Sequence, residues 1–162
     1  MSPVASEPFV VRRAGHGDVP FLRDMLHHAH YWRENALVGD DPPVSRYADA
    51  WGRPGDGGVI LLEEFRPVGA AWYRLFPASS PGYGYVDEAT PELSIAVVPS
   101  RRRRGTGSAL LGALLDHARA DGFGAISLSV ARLSPALRLY ERHGFVRVAE
   151  RGDAWTMLRA DL

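Results

Sequence analysis

Arg102-Arg103-Arg104-Gly105-Thr106-Gly107 joins an apolar alternating run, Glu92 to Val98, to an amphipathic segment that begins near Gly105. A helix starting there leaves its first amides without intrahelical acceptors, and the aligned peptide dipoles place partial positive charge at the same end. An anion satisfies both. Gly105 and Gly107 carry no Cβ and let a diphosphate approach the main chain, while Arg102, Arg103 and Arg104 bring cationic hydrogen-bond donors beside it. The stretch therefore reads as a diphosphate site between a strand and a helix.

Spacing narrows the choice of diphosphate. A P-loop requires a lysine after its second glycine, and this chain contains no lysine at all. A dinucleotide fingerprint needs a third glycine where Leu110 stands, and Gly112 arrives two residues too late.

Outward from this stretch the elements follow from periodicity and breakers. Leu110, Leu111, Leu114, Leu115 and Ala118 recur at helical spacing, and Gly122 is placed as a left-handed stop, so a helix is predicted from Gly105 to about Asp121. Ala125 to Val130 alternates and is expected to lie parallel to the strand before the helix, through a right-handed crossover. Ser134-Pro135 is expected to cap a further helix that ends at Gly144, and Val146 to Ala149 with Ala154 to Leu158 close the chain as a strand pair. On the N-terminal side, Pro8 to Ala14 reads as a first strand. Asp18 is expected to N-cap a helix through about Ala29, with Leu22, Met25 and Leu26 on its buried face. Tyr31 to Gly39 and Ser45 to Gly52 read as a second, shorter helical region. Val59 to Glu63 and Pro67 to Leu75 form a predicted hairpin, and Pro77 to Pro91 a loop.

Two motifs in this order resemble the GNAT superfamily of N-acetyltransferases. Arg102, Gly105 and Gly107 fill its [QR]-x-x-G-x-[GA] pattern after the strand Ile95-Ala96-Val97-Val98-Pro99, and Leu139-Tyr140-Glu141-Arg142-His143-Gly144-Phe145 fills L-Y-x-x-x-G-F. The resemblance is specific over Glu92 to Val146 and topological before it. It implies a mixed α+β fold: a central, mixed, splayed sheet of about seven strands flanked by about four helices. It also implies one N-acetyltransferase domain over residues 1–162 that uses acetyl-CoA as co-substrate and no metal.

Composition agrees with a single soluble domain. The 162 residues carry 19 basic and 19 acidic side chains, so no global field favours nucleic acid or a membrane surface. Without cysteine there is no disulfide or thiolate chemistry, and the N-terminus lacks a secretory pattern, so the expected compartment is the cytoplasm. All 19 basic residues are arginine and glutamine is absent, which reads as the codon bias of a GC-rich, bacterial genome.

The resemblance assigns roles residue by residue. Main-chain groups of Ile95, Ala96 and Val97 are expected to hold the pantetheine arm like an added strand, and those of Arg102, Arg103, Arg104, Gly105, Thr106, Gly107 and Ser108 the diphosphate. Tyr140 is the expected general acid for the departing thiolate, and Glu92 the candidate general base for the amine. In the histone-acetyltransferase pattern that glutamate falls at Pro91, one residue off and so on the opposite strand face; a solvent-facing strand start is the other reading of Glu92. Leu133 replaces a common cofactor-binding asparagine, and Ser134 either takes over its contact or only caps the helix. Trp32, Tyr73, Tyr83 and Tyr85, with Asp87 and Glu88, fall in segments that face the acceptor in relatives, where aromatic walls and carboxylates suit a cationic amine. His27, His28 and His30 read as a solvated or substrate-facing cluster rather than a metal site. The expected acceptor is a small-molecule primary amine, with no nucleic-acid or membrane partner; the resemblance also admits a homodimer. A protein N-terminal or lysine acetyltransferase, a non-catalytic acyl-CoA-binding domain and an arginine-dependent nucleic-acid binder stay open as alternatives.

Overall fold

The alternation around residues 57–74 folds as a tight hairpin in the computed structural model, which describes residues 9–34, 43–101 and 105–162. Strands β2 (Gly57–Glu63) and β3 (Arg66–Arg74) are joined by Glu64 and Phe65, both at positive φ (52° and 66°), the conformation that a two-residue turn between twisted strands requires. β1 (Phe9–Arg13) pairs antiparallel with β2, and β4 (Glu92–Val97) pairs antiparallel with β3. Beyond β4 come β5 (Ala125–Ala131), β6 (Val146–Arg151) and β7 (Ala154–Ala160), giving one seven-stranded mixed sheet in the order β1-β2-β3-β4-β5-β7-β6.

Strand alternation sorts the side chains onto two faces. Leu93 and Val97 of β4, with Leu61, Ala71, Tyr73, Leu128 and Met157, pack against Leu110, Leu111, Leu114 and Ala118 of α2 (Thr106–Ala120). Ala96, with Ile60, Ala70 and Trp72, packs on the other face against Leu22, Met25 and Leu26 of α1 (Val19–Glu34) and against Val44 and Tyr47 of a 3-10 turn, Val44–Tyr47. α3 (Leu137–Arg142) lies beside the first turn of α2: an added Cβ at Gly107 would meet Leu139 Cδ2 at 3.4 Å, and Ser108 Oγ lies 3.0 Å from His143 Nε2.

Several local expectations are corrected. Among the described residues three α-helices and three 3-10 turns accompany the sheet. Tyr31 to Glu34 continue α1 beyond a non-helical His30 (φ −127°, ψ 22°), residues 35–42 lie outside the described residues, and 44–47 form only a 3-10 turn. The Asp18 carboxylate does not cap α1. It turns back to accept the Gly15 N–H (2.8 Å) and both arms of the Arg12 guanidinium (2.7 Å each), closing a 3-10 turn at His16–Asp18. α3 starts at Leu137 because Ser134-Pro135-Ala136 is spent on a turn, with Ser134 Oγ accepting the Ala136 N–H at 3.1 Å. β6 runs past Ala149 to Arg151 because a bulge between Arg147 and Ala149 re-registers it on β7.

Candidate active site

The parallel neighbours β4 and β5 share a single bridge, Glu92↔Ser127, closed by the Ser127 N–H donating to the Pro91 carbonyl at 2.9 Å. Beyond it the strands separate, so the part of β4 that contains Ile95, Ala96 and Val97 runs along the opening of a V. A buried strand edge has polar groups to satisfy, and an extended amide-bearing ligand can meet them.

α2 opens next to this edge. Its N-cap is Gly105 at φ 75°, a left-handed conformation that side chains with a Cβ rarely adopt, and an added Cβ there would meet nothing within 4 Å. The first helical hydrogen bond runs from Ala109 N–H to the Gly105 carbonyl (3.1 Å), so the amides of Gly107 and Ser108 precede the helical ladder. Thr106 is buried, and at Gly107 an added Cβ would already reach contact distance of the Leu139 side chain. Arg102, Arg103 and Arg104 lie outside the described residues. Burial, with the nearby Arg142 and Arg159 charges, holds His143 below the usual imidazole range, which favours the neutral ring beside Ser108.

Tyr140 projects from α3 into the apolar cluster beneath α2, 7% exposed, with its ring edge-to-face on Phe145 at 5.9 Å. Burial raises its phenol, so the hydroxyl keeps its proton throughout the neutral range. Ser134, in contrast, uses its hydroxyl as a local cap on Ala136.

Glu92 is 2% exposed and so is not a solvent-facing strand start. It points to the α1 face, where its Oε2 accepts a hydrogen bond from the Tyr47 hydroxyl. Tyr47 in turn accepts the Tyr83 N–H at 2.8 Å, its ring lies 4.7 Å from the His30 ring, and His30 Nε2 is 3.2 Å from Ser94 Oγ, two residues along β4 from Glu92. All five residues are buried. The loop 77–91 supplies Tyr83, whose ring stacks over Tyr47 at 6.4 Å, and crosses so close to β5 that an added Cβ at Gly84 would sit 2.5 Å from the Leu128 carbonyl carbon. Tyr85 packs at the edge of the same cluster, half-buried. Asp87 and Glu88 are exposed, and Asp87 Oδ1 accepts the Ala89 N–H at 2.9 Å as a turn former.

Tyr73 is not with the others. Its side chain lies on the α2 face, donating to Asp121 Oδ2 at 2.5 Å and standing 2.8 Å from His117 Nδ1, at the opposite end of α2 from Gly105. Trp32 lies in the backbone of the last turn of α1. Of the members of the buried cluster, Tyr47 and Ser94 carry no motif in the sequence. His30 reads there as part of a solvated or substrate-facing trio, whereas the break in α1 at His30 accompanies a ring buried on Ser94.

The model of the acetyltransferase (GNAT) family matches residues 21–145. The chain belongs to the GNAT acetyltransferase family. Mycothiol acetyltransferase of Acidimicrobium ferrooxidans is 31% identical to this GNAT chain over 147 residues, 89% of the chain and 45% of that protein, so the chain spans about half the length of that relative. Among solved structures, yncA from Salmonella typhimurium with its cofactor acetyl-CoA superposes with a TM-score of 0.71 at 20% identity, covering 94% of each chain. A phosphinothricin acetyltransferase from Sinorhizobium meliloti in complex with acetyl-CoA gives 0.66 at 22% identity, covering 94% of this chain and 88% of that one. At these identities the likeness establishes the GNAT fold, including the mixed seven-stranded sheet.

Proposed function

We propose that the chain is an acetyl-CoA-dependent N-acetyltransferase acting on a primary amine of a small molecule, by direct attack within a ternary complex. The observation that carries this reading is the opening between β4 and β5 beside the glycine-capped start of α2, within a chain of the GNAT family. The α2 amides and Arg102, Arg103 and Arg104 hold the diphosphate, and the β4 edge at Ile95, Ala96 and Val97 holds the pantetheine arm. Bound acetyl-CoA supplies an activated acyl thioester. Loop 77–91, with Tyr83 and Tyr85, and the end of α1 at Trp32 form the acceptor side.

On that side Glu92 removes the proton of the ammonium, directly or through water, because a protonated amine has no lone pair for attack. A β4 N–H near Ala96 polarises the carbonyl oxygen. As the carbon–nitrogen bond forms the nitrogen sheds its second proton to water, and as the carbon–sulfur bond breaks Tyr140 gives its proton to the sulfur, which would otherwise build charge in a poorly solvated cleft, and then recovers one from water. Tyr140 is protonated at neutral pH, as a donor must be, while burial makes its phenol a weaker acid than tyrosine in water. No covalent enzyme intermediate is needed, and the chain has no cysteine to form one.

The test is a panel of small primary amines, protein N-terminal peptides and lysine peptides with acetyl-CoA, read by free-thiol release. Small amines should turn over, and Tyr140→Phe should lower kcat by about 100-fold or more with acetyl-CoA binding retained. Acetyl-CoA binding without thiol release from any amine would point to a non-catalytic domain. Unchanged kcat in Tyr140→Phe would remove the general-acid role.

A further inference from the structure

We infer that Tyr47 is a positioning residue for Glu92, fixing the carboxylate in its ionised, proton-accepting form on the acceptor side of the sheet. The inference rests on Glu92 being the base and adds the group that makes it one.

The argument is one of proton bookkeeping at a single oxygen. An amide N–H can only donate, so the Tyr47 oxygen accepts from Tyr83 N at 2.8 Å. An ionised carboxylate can only accept, so the one proton of Tyr47 is directed at Glu92 Oε2. The hydroxyl cannot turn away without stranding a buried N–H, and such loss is costly. The ring is held as well: it contacts His30 at 4.7 Å, Phe76 edge-to-face at 5.1 Å and Tyr83 at 6.4 Å, and the Tyr47 carbonyl accepts the Trp72 indole N–H at 2.8 Å.

The elements around Glu92 contribute polar or charged groups, among them β5 with Ser127, its bridge partner, and β6 with Arg151, which donates to the Gly82 and Tyr83 carbonyls. α1 brings His30, the 3-10 turn brings Tyr47, and loop 77–91 brings Tyr83 and Gly82, whose added Cβ would collide with Glu92 Oε1. β3 brings Arg74, the register partner of Glu92 and hence on the same face. That guanidinium is already committed: it pairs with Asp56 through Nε (3.0 Å) and Nη2 (2.8 Å) and donates from Nη1 to the carbonyls of Arg46 and Asp49. The cation in register with Glu92 is thus paired with Asp56, and among the described residues Tyr47 directs its hydroxyl at Glu92 Oε2.

The test uses Tyr47→Phe, Glu92→Gln and the double variant, with acetyl-CoA and whichever panel amine releases thiol fastest. Tyr47→Phe should lower kcat about 10- to 100-fold, leave KM for acetyl-CoA unchanged and move the acidic limb of the kcat/KM profile to higher pH, since a carboxylate deprived of a donor binds its proton more tightly. In the Glu92→Gln background the same change should cost nothing further, because Tyr47 then has no carboxylate to serve. Fluorotyrosine introduced at position 47 alone keeps the shape, donates more strongly and should move the limb to lower pH. An unmoved limb in both 47 variants, or losses that multiply in the double variant, would overturn the inference. Full activity in Glu92→Gln would instead remove the base itself, and so separates failure of the underlying reading from failure of this one.

Discussion

At the scale of single residues, Tyr73 and Tyr140 place the same side chain in different surroundings. Both are buried, and burial raises both phenols. Tyr73 is bound on two sides, by His117 and Asp121, at the far end of α2; Tyr140 lies on α3 beside the first turn of that helix. Tyr73→Phe should therefore cost about 1–2 kcal/mol in denaturant unfolding, the usual loss when a buried hydrogen-bonding group is stranded, with kcat/KM unchanged. A fall in kcat/KM without a fall in stability would put Tyr73 back on the acceptor side. The motif Leu139 to Phe145 singles out Tyr140 in the sequence. For Tyr73 strand parity decides: it is in register with Leu93 and shares its face, whereas Glu92 shares the opposite face with Arg74.

Elements were legible where one period dominates. The leucine spacing of α2, the alternation of β4 and β5 and the breaker at Gly122 sufficed to place those elements within about one residue, because each buries one well-defined stripe. The region before β2 was less so: α1 continues through Glu34 past a break at His30, and Tyr47 reaches the site from a 3-10 turn too short to carry a period. Asp18 illustrates a cap whose direction spacing cannot give. Its carboxyl lies below the usual range chiefly because Arg12 donates to it, with the Gly15 N–H and the Arg12 charge adding to this against the opposing effect of burial. A depressed folded-state value means stability that is present above the ordinary aspartate range and lost as pH falls through the depressed one. Asp18→Asn should thus cost about 1 kcal/mol at pH 7, limited by the 43% exposure of Arg12, and nothing by about pH 2. Equal destabilisation at both pH values would show that charge is irrelevant there. At the start of α2, Gly107→Val should weaken acetyl-CoA binding at least tenfold by calorimetry, since branched methyls would fill the space between α2 and Leu139. Undiminished affinity would contradict main-chain access at that turn.

Across the whole molecule the sheet divides the proposed chemistry. α2 and α3 cover one face and bring the diphosphate turn and Tyr140; α1, the 3-10 turn and loop 77–91 cover the other and bring Tyr47, Tyr83 and the acceptor side. The proposed mechanism brings groups from the two faces together at the opening between β4 and β5. The motifs in sequence report the proposed cofactor half, because phosphate binding needs fixed glycines and a helix start. The Glu92–Tyr47–His30–Ser94 cluster draws on residues 30 to 94, and only tertiary packing assembles it. The most direct measurement of the central claim is a crystal structure with bound CoA. The diphosphate should lie on the amides at Gly105, Thr106, Gly107 and Ser108, with the pantetheine arm along the β4 edge and its sulfur facing Tyr140; CoA bound elsewhere, or a side chain filling the opening between β4 and β5, would contradict the account.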